Sequence, residues 1–168
     1  MHDCPCGVVR KTQTIVSDQH ALGKTIIIAG EPTHPEFIEL QGWCGNSAYV
    51  INSPDSPLPD IEGKEVCVVS QTTFSVEKFE KIIENIKKQR EKTVAVFKTI
   101  CYTTIGRQSE AEKIASGCDA VLVIGGLNSS NTNKLFEIAS RRCAHVFRLA
   151  NATDFDYAQL KKFSNVGI

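Results

Sequence analysis

The stretch Thr25-Ile-Ile-Ile-Ala-Gly30 is an apolar, mostly β-branched run closed by a glycine, and it returns later as Ala120-Val-Leu-Val-Ile-Gly125. Neither run alternates apolar with polar, so each reads as a strand buried on both faces of a parallel sheet rather than a half-solvated one. Before the first, Val9, Thr12, Val16 and Gln19 lead to Leu22 at helical spacing, and Gly23 fits the left-handed position just past a helix end. After it comes a loop, Glu31-Pro-Thr-His-Pro-Glu36. Ala48-Tyr-Val-Ile51 and Val66-Cys-Val-Val69 read as further strands, separated by a loop over Asn52 to Pro59 that is rich in Pro, Ser and Asp. Ser75 can cap a long helix in which Val76, Phe79, Ile82, Ile83 and Ile86 form one apolar stripe. The alternation continues with a strand Thr93-Val-Ala-Val-Phe97, a helix across Gln108 to Ala115, the strand at Ala120, a helix from about Asn131 to Arg141, a strand His145-Val-Phe-Arg-Leu149 and a last helix near Asp154 to Phe163. Apolar strands interleaved with helices predict an α/β fold whose mainly parallel sheets are covered by helices on both faces.

The composition narrows the function classes. Hydrophobic residues make up 42% of the 168, enough for a true core, so a disordered chain is excluded. Nineteen Lys+Arg balance nineteen Asp+Glu, and no basic run stands out, which gives no support to nucleic acid or a membrane surface as a partner. The longest apolar run is far short of the roughly 20 residues that cross a bilayer, and the start of the chain lacks a charged-then-apolar signal layout. The expected location is cytoplasmic. Seven cysteines, Cys4, Cys6, Cys44, Cys67, Cys101, Cys118 and Cys143, are many for such a chain. Their odd number and scattered contexts do not suit a disulfide framework, which leaves metal or redox chemistry to be tested. Cys67, Cys118 and Cys143 are expected to pack as small hydrophobes.

Cys6 precedes Gly30 by 24 residues, and Cys101 precedes Gly125 by 24. Each segment runs cysteine, amphipathic helix, small-residue stop at Gly23 or Gly117, buried strand, glycine, then a polar cluster. The clusters are His34-Pro-Glu36 and Asn128-Ser-Ser-Asn131. We read this as an internal repeat of about 95 residues. It predicts two small pseudo-symmetric α/β domains, 1–92 and 93–168, with a boundary near Lys92 to Val94. Both polar clusters then follow the carboxyl end of a strand, where ligands bind in open α/β sheets.

Gly125-Gly-Leu-Asn-Ser-Ser-Asn131 leads from a strand into a helix, so its amides and hydroxyls sit where the helix dipole favours an anion such as phosphate; Asn and Ser there also serve as plain helix caps. No Gly-Lys-Ser/Thr follows, and the dinucleotide fingerprint is missing. His34 and Glu36 offer an imidazole and a carboxylate on one short loop, a general acid with a partner or simply a solvated pair. Gln71-Thr-Thr73 places hydroxyls at another strand end, with helix capping as the plainer role. Cys101, in Thr99-Ile-Cys-Tyr-Thr-Thr104, is a cysteine between a strand and a helix, a setting that suits a metal ligand or nucleophile. Cys6 and Cys101 are short of a full ligand set, and no CxxC pair exists to complete a zinc knuckle.

His34-Pro-Glu36, Gln71-Thr-Thr73, Thr99-Ile-Cys101 with Thr104 and Arg107-Gln108, and Asn128-Ser-Ser-Asn131-Thr132 together resemble, in order and spacing, the 4-hydroxy-3-methylbut-2-enyl diphosphate reductase family. The resemblance runs from about Asp3 to Ile168. It implies α/β domains around one 4Fe–4S cluster, each domain giving one cysteine, and a reductive dehydroxylation that yields isopentenyl and dimethylallyl diphosphates at the end of the non-mevalonate isoprenoid route. By that resemblance Cys101 is a cluster ligand. Asp3-Cys-Pro-Cys-Gly7 carries the other, counted without a gap back from Gly23 as Cys6, with Cys4 as the alternative. Glu36 is implied as proton donor, Thr72 and Thr104 as hydroxyls near the substrate, and His34, Asn128, Ser129, Ser130 and Asn131 as residues near the diphosphate or proton path. The implied partners are an allylic diphosphate and a one-electron donor such as ferredoxin or flavodoxin. The same resemblance leads us to expect a truncated chain, without the family's amino-terminal domain and the Ser-bearing loop after Val166-Gly-Ile168, and inactive by itself. The competing reading is a non-catalytic α/β module that binds a phosphorylated small molecule. A structural or interaction protein has no large apolar surface pattern to recommend it.

Overall fold

The computed structural model describes residues 6–60, 64–88, 94–151, 153 and 155–168. It divides into two compact units, Met1–Cys101 and Tyr102–Ile168. In the first, helix α1 (Gly7–Ala21) leads to strand β1 (Thr25–Ala29), helix α2 (Pro35–Gly42), strands β2 (Tyr49–Ile51) and β3 (Val66–Ser70), helix α3 (Val76–Lys88) and strand β4 (Val94–Val96). Gly23 ends α1 at φ +78°, the left-handed position its sequence context predicted. The four strands form one parallel sheet in the order β2-β1-β3-β4.

Alternation along β1 and β3 sends successive side chains to opposite faces, and both faces are covered. Ile27, Ala29, Val66 and Val68 meet Phe79, Ile82, Ile83 and Ile86 of α3 on one side. Ile26, Ile28, Cys67 and Val69 meet Val16 of α1 and Phe37 and Leu40 of α2 on the other. These are the uninterrupted apolar strands, and double coverage is the reason they carry no polar alternation.

The second unit holds α4 (Tyr102–Gly117), β5 (Ala120–Ile124), α5 (Ser130–Ser140), β6 (Val146–Leu149), a 3₁₀ helix over Tyr157–Lys162 and β7 (Val166–Gly167). Its parallel sheet has the order β6-β5-β7. Val121 and Val123 pack with Ala115, Ala139 and Cys143. On the opposite face of β5, Ile124 is 44% exposed.

Helix, strand, helix, strand and a third strand on the far side of the first occur in this order in both units, as a repeat requires. One hydrogen bond is reproduced in detail. The Gly30 amide donates to the Ile51 carbonyl at 3.0 Å, and the Gly125 amide to the Leu149 carbonyl at 2.9 Å.

Val94, Ala95 and Val96 pair with Val66, Cys67 and Val68, and the first compact unit runs to Cys101; the expected 92/93 boundary itself lies outside the described residues. Three expectations are corrected. His34 and Glu36 are not on a free loop, because Pro35 starts α2 with a fixed backbone angle suited to a first helical position. Helix α4 begins at Tyr102 rather than Gln108. The last predicted helix is a 3₁₀ turn over Tyr157–Lys162, capped by the Asp156 carboxylate, which accepts the Ala158 amide at 3.0 Å; the expected start at Asp154 lies outside the described residues.

A side chain at Gly125 would place its Cβ 2.5 Å from Thr132 Oγ1 in α5. We therefore expect Gly125→Ala to lower stability by about 1–3 kcal/mol in urea denaturation followed by circular dichroism, with a smaller loss when Thr132→Ala is introduced beside it.

Candidate functional site

In the first unit the parallel register sets Ala29 beside Ser70. The chain segments that leave β1 and β3 therefore start side by side. Gly30 follows β1, and a Cβ there would lie 3.1 Å from Gln71 Oε1 and 3.2 Å from Gln71 Cβ. The buried Gln71 side chain accepts the Glu31 amide at 3.1 Å and donates to Thr73 Oγ1 at 3.0 Å, bracing one segment against the other. The sequence identified Gln71 only as part of a strand-closing motif.

His34 caps α2. Its Nδ1 accepts the Glu36 amide at 3.2 Å, which fixes the imidazole and the first helical turn together. Glu36, one residue beyond Pro35, turns its carboxylate onto Thr72: Oε1 accepts the Thr72 amide at 2.8 Å and Oε2 accepts the Thr72 hydroxyl at 2.8 Å. Burial raises the Glu36 carboxyl above the ordinary glutamate range. The two Thr72 hydrogen bonds and the nearby His34 oppose that rise, and Glu39 adds to it. A carboxyl group held by two donors yet desolvated enough to favour its proton can act as a general acid.

The cysteines sort by burial. Cys67 sits in the core and burial pushes its thiol up to about 11. Cys44, buried at the end of α2, is also pushed up by burial. Cys143 is buried, with its Sγ 3.5 Å from the Cys118 carbonyl, and Cys118 is half-buried against the same core. Cys6 is exposed at the N-cap of α1, where its side chain makes no capping hydrogen bond, and Cys101 is half-buried immediately before α4. Neither is in a disulfide. The Cys101 amide donates to the Thr72 carbonyl at 2.9 Å, so the backbone of one candidate ligand is tied to the residue that holds Glu36. Cys4, the alternative to Cys6, lies outside the described residues. Among the described residues no group of three or more His, Cys, Asp and Glu is placed to hold a metal ion.

In the second unit Ser129 caps α5, its hydroxyl accepting the Thr132 amide at 3.3 Å. Asn128 is exposed in the preceding turn, and Ser130 opens the helix. Asn131 Oδ1 is buried with no hydrogen-bond partner, and a polar atom in that state is costly unless something outside the chain satisfies it. A cleft of about 530 Å³ reaches from Ser129, Asn131 and Thr132 to an apolar floor at Val121, Val123 and Leu135. Arg107 and Glu110 of α4 also line it. Thr104 is buried in α4. Ser129 stands in its unit where His34 stands in the first, each capping the helix after the buried strand.

Among the described residues no helix is long and apolar enough to cross a membrane. The family described as LytB protein matches residues 1–168. The 4-hydroxy-3-methylbut-2-enyl diphosphate reductase of Caldanaerobacter subterraneus subsp. tengcongensis is 37% identical over 168 residues, covering 99% of this chain and 57% of that protein. Its namesake in Clostridium perfringens strain SM101 is 40% identical over 156 residues, covering 93% and 54%. This chain thus spans a little over half the length of these relatives. Among solved structures, the E-1-hydroxy-2-methyl-but-2-enyl-4-diphosphate reductase from Plasmodium falciparum matches with a TM-score of 0.86 at 25% identity, over 96% of this chain and 52% of that one.

The raised Glu36 carboxyl has a defined signature. A glutamate whose folded value lies above its unfolded one contributes stability that is fully present below the unfolded value and is lost as pH rises through the folded value. We expect an NMR titration to place the Glu36 carboxyl above the ordinary glutamate range, and Thr72→Val, which removes one donor, to move it higher. Glu36→Gln should abolish this loss of stability with rising pH in denaturation measured on both sides of the window.

Proposed function

The chain belongs to the LytB protein family, and on that premise we propose that it forms part of an oxidoreductase that removes the hydroxyl group of (E)-4-hydroxy-3-methylbut-2-enyl diphosphate. In this reading one C–O bond breaks, one C–H bond forms and the oxygen leaves as water, at the expense of two protons and two electrons. The products are isopentenyl and dimethylallyl diphosphates, and the electrons come from a one-electron carrier of the ferredoxin or flavodoxin kind. What carries the reading is the Glu36 carboxyl group, desolvated and held on the Thr72 amide and hydroxyl at the carboxyl ends of β1 and β3.

Cys6 and Cys101 fit a shared metal cluster as two of its ligands, because they are the thiols at the amino ends of α1 and α4, outside the apolar clusters that hold Cys44, Cys67 and Cys143. When bound, a 4Fe–4S cluster would supply the electrons for the reduction. The remaining work falls to the chain's own groups. Protonated Glu36 delivers a proton to the departing oxygen, and Thr72, through its two hydrogen bonds, keeps the carboxyl aimed while it changes charge. His34 fixes the turn that carries Glu36. Ser129, Ser130 and Asn131, with Asn128 before them, offer hydroxyls, amides and the positive end of α5 to the diphosphate. Thr104 is assigned a hydroxyl contact to the same substrate.

In the whole-length protein we expect Glu36→Gln to lower turnover by roughly 100- to 10,000-fold with diphosphate binding kept, since the amide has the shape of the carboxyl group without its transferable proton. Steady-state assays with a reduced one-electron carrier and isothermal titration with the diphosphate read the two effects separately. Turnover close to wild type would move the acid elsewhere, and binding without any turnover in the wild-type protein would favour the non-catalytic module. For the 168 residues alone, anaerobic reconstitution is expected to give no stable cluster, because two candidate thiolates leave it under-ligated; close to four irons per chain with a cluster absorption band would overturn that.

A further inference from the structure

Resting on the reading of Cys101 as a ligand and of Glu36 and Thr72 as the acid and its holder, we propose that Thr99 is a positioning residue that sets Cys101 against the Glu36–Thr72 pair. Its hydroxyl stands in for a peptide group at the place where the chain leaves the first sheet.

Pairing of β4 with β3 stops at Val68 and Val96. The Phe97 amide still donates to the Val68 carbonyl at 2.9 Å, but the next rung is built differently. Thr99 Oγ1 accepts the Ser70 amide at 2.8 Å and donates to the Ser70 carbonyl at 2.6 Å. It also lies 3.1 Å from Ser70 Oγ. A hydroxyl has one proton to donate and two lone pairs, and all three are engaged if Ser70 Oγ donates. Both backbone groups of Ser70 are thereby satisfied by a single side-chain atom, although the strand partner has turned away. Thr99 is 5% exposed and Ser70 is 0% exposed, so water is not at hand to replace that atom.

Two residues farther on, along both segments, the consequence appears. The Cys101 amide reaches the Thr72 carbonyl, and the Thr72 amide and hydroxyl hold the two oxygens of Glu36. One peptide neighbourhood is thus gripped by the candidate ligand on its carbonyl and by the candidate acid on its amide. The first compact unit ends at Cys101, two residues beyond the Thr99 anchor. The hydroxyl fixes how far Cys101 stands from the acid, and it does so without touching a reacting atom.

The test is amide hydrogen exchange, read by NMR on this chain. Thr99→Val keeps the shape and removes the hydroxyl; Thr99→Ser keeps the hydroxyl and removes the methyl. We expect Thr99→Val to speed exchange at Cys101 by about tenfold or more while α1 amides such as Val16 stay at wild-type rates, and Thr99→Ser to restore Cys101 to within about threefold. A wild-type rate at Cys101 in Thr99→Val overturns the proposal. So does equal acceleration throughout the first unit, which would make the hydroxyl a general stabiliser, and so does failure of Thr99→Ser to rescue. Should Thr99→Val not fold, the wild-type chain decides: the Thr99 hydroxyl proton must exchange slowly enough with water to be observed, and exchange as fast as at exposed threonines overturns the bridge. These rates do not depend on a bound cluster or on turnover, so failure of the reductase reading would show in the assays above and leave them unchanged.

Discussion

The arrangement of Glu36, Gln71 and Thr72 depends on the in-register parallel pairing of β1 with β3. Thr25 to Ala29 face Val66 to Ser70 residue by residue, so the two strands end level with each other. Parallel strands ending level deliver the following segments to the same edge of the sheet, which is why this edge collects ligand sites in α/β proteins. Here it collects Gly30, Gln71 and Thr72, with Glu36 reaching across from α2. A slip of one residue would send the apolar side chains of β1 to the wrong faces and also misplace the carboxylate, so one set of buried contacts enforces both the core and the site.

The repeat shows what the architecture demands and what it leaves open. In both units the glycine after the buried strand carries the same backbone hydrogen bond, and in both a side chain from another segment occupies the space where a Cβ would go. The intruding side chain differs: Gln71 from the neighbouring strand's exit in the first unit, Thr132 from the following helix in the second. The helix cap differs as well, His34 in one and Ser129 in the other. The scaffold therefore fixes where polar groups are presented, and the individual residues fix what chemistry is available there. One unit presents an imidazole and a carboxyl group at this position, and the other presents hydroxyls and amides.

Burial explains why only some of the many cysteines are chemically interesting. A thiol inside the core, as at Cys67, is held protonated by desolvation and behaves as a small apolar side chain. Cys6 and Cys101 stand before helices and outside those clusters. Cys101 is also bound through its backbone amide to the carbonyl of Thr72, the residue whose amide and hydroxyl hold Glu36.

The buried strands, the stop at Gly23, the apolar stripe of α3 and the matched spacing of Cys6 to Gly30 and Cys101 to Gly125 are legible in the chain's residues, because these are local patterns of burial and backbone freedom. His34, Glu36 and Thr72 are likewise picked out through their motifs. That Glu36 lies on Thr72, that Thr99 bridges Ser70 and that β4 belongs to the first sheet emerges from the folded chain. The first two contacts join residues 36 and 29 apart along the chain. No periodicity within a short window reports which strand lies beside another, or which hydroxyl replaces a missing backbone partner. The start of α2 at Pro35 belongs to the same category: Glu31-Pro-Thr-His-Pro-Glu36 reads locally as a turn, and burial of Phe37 and Leu40 against β1 and β3 makes its last two residues the opening of a helix.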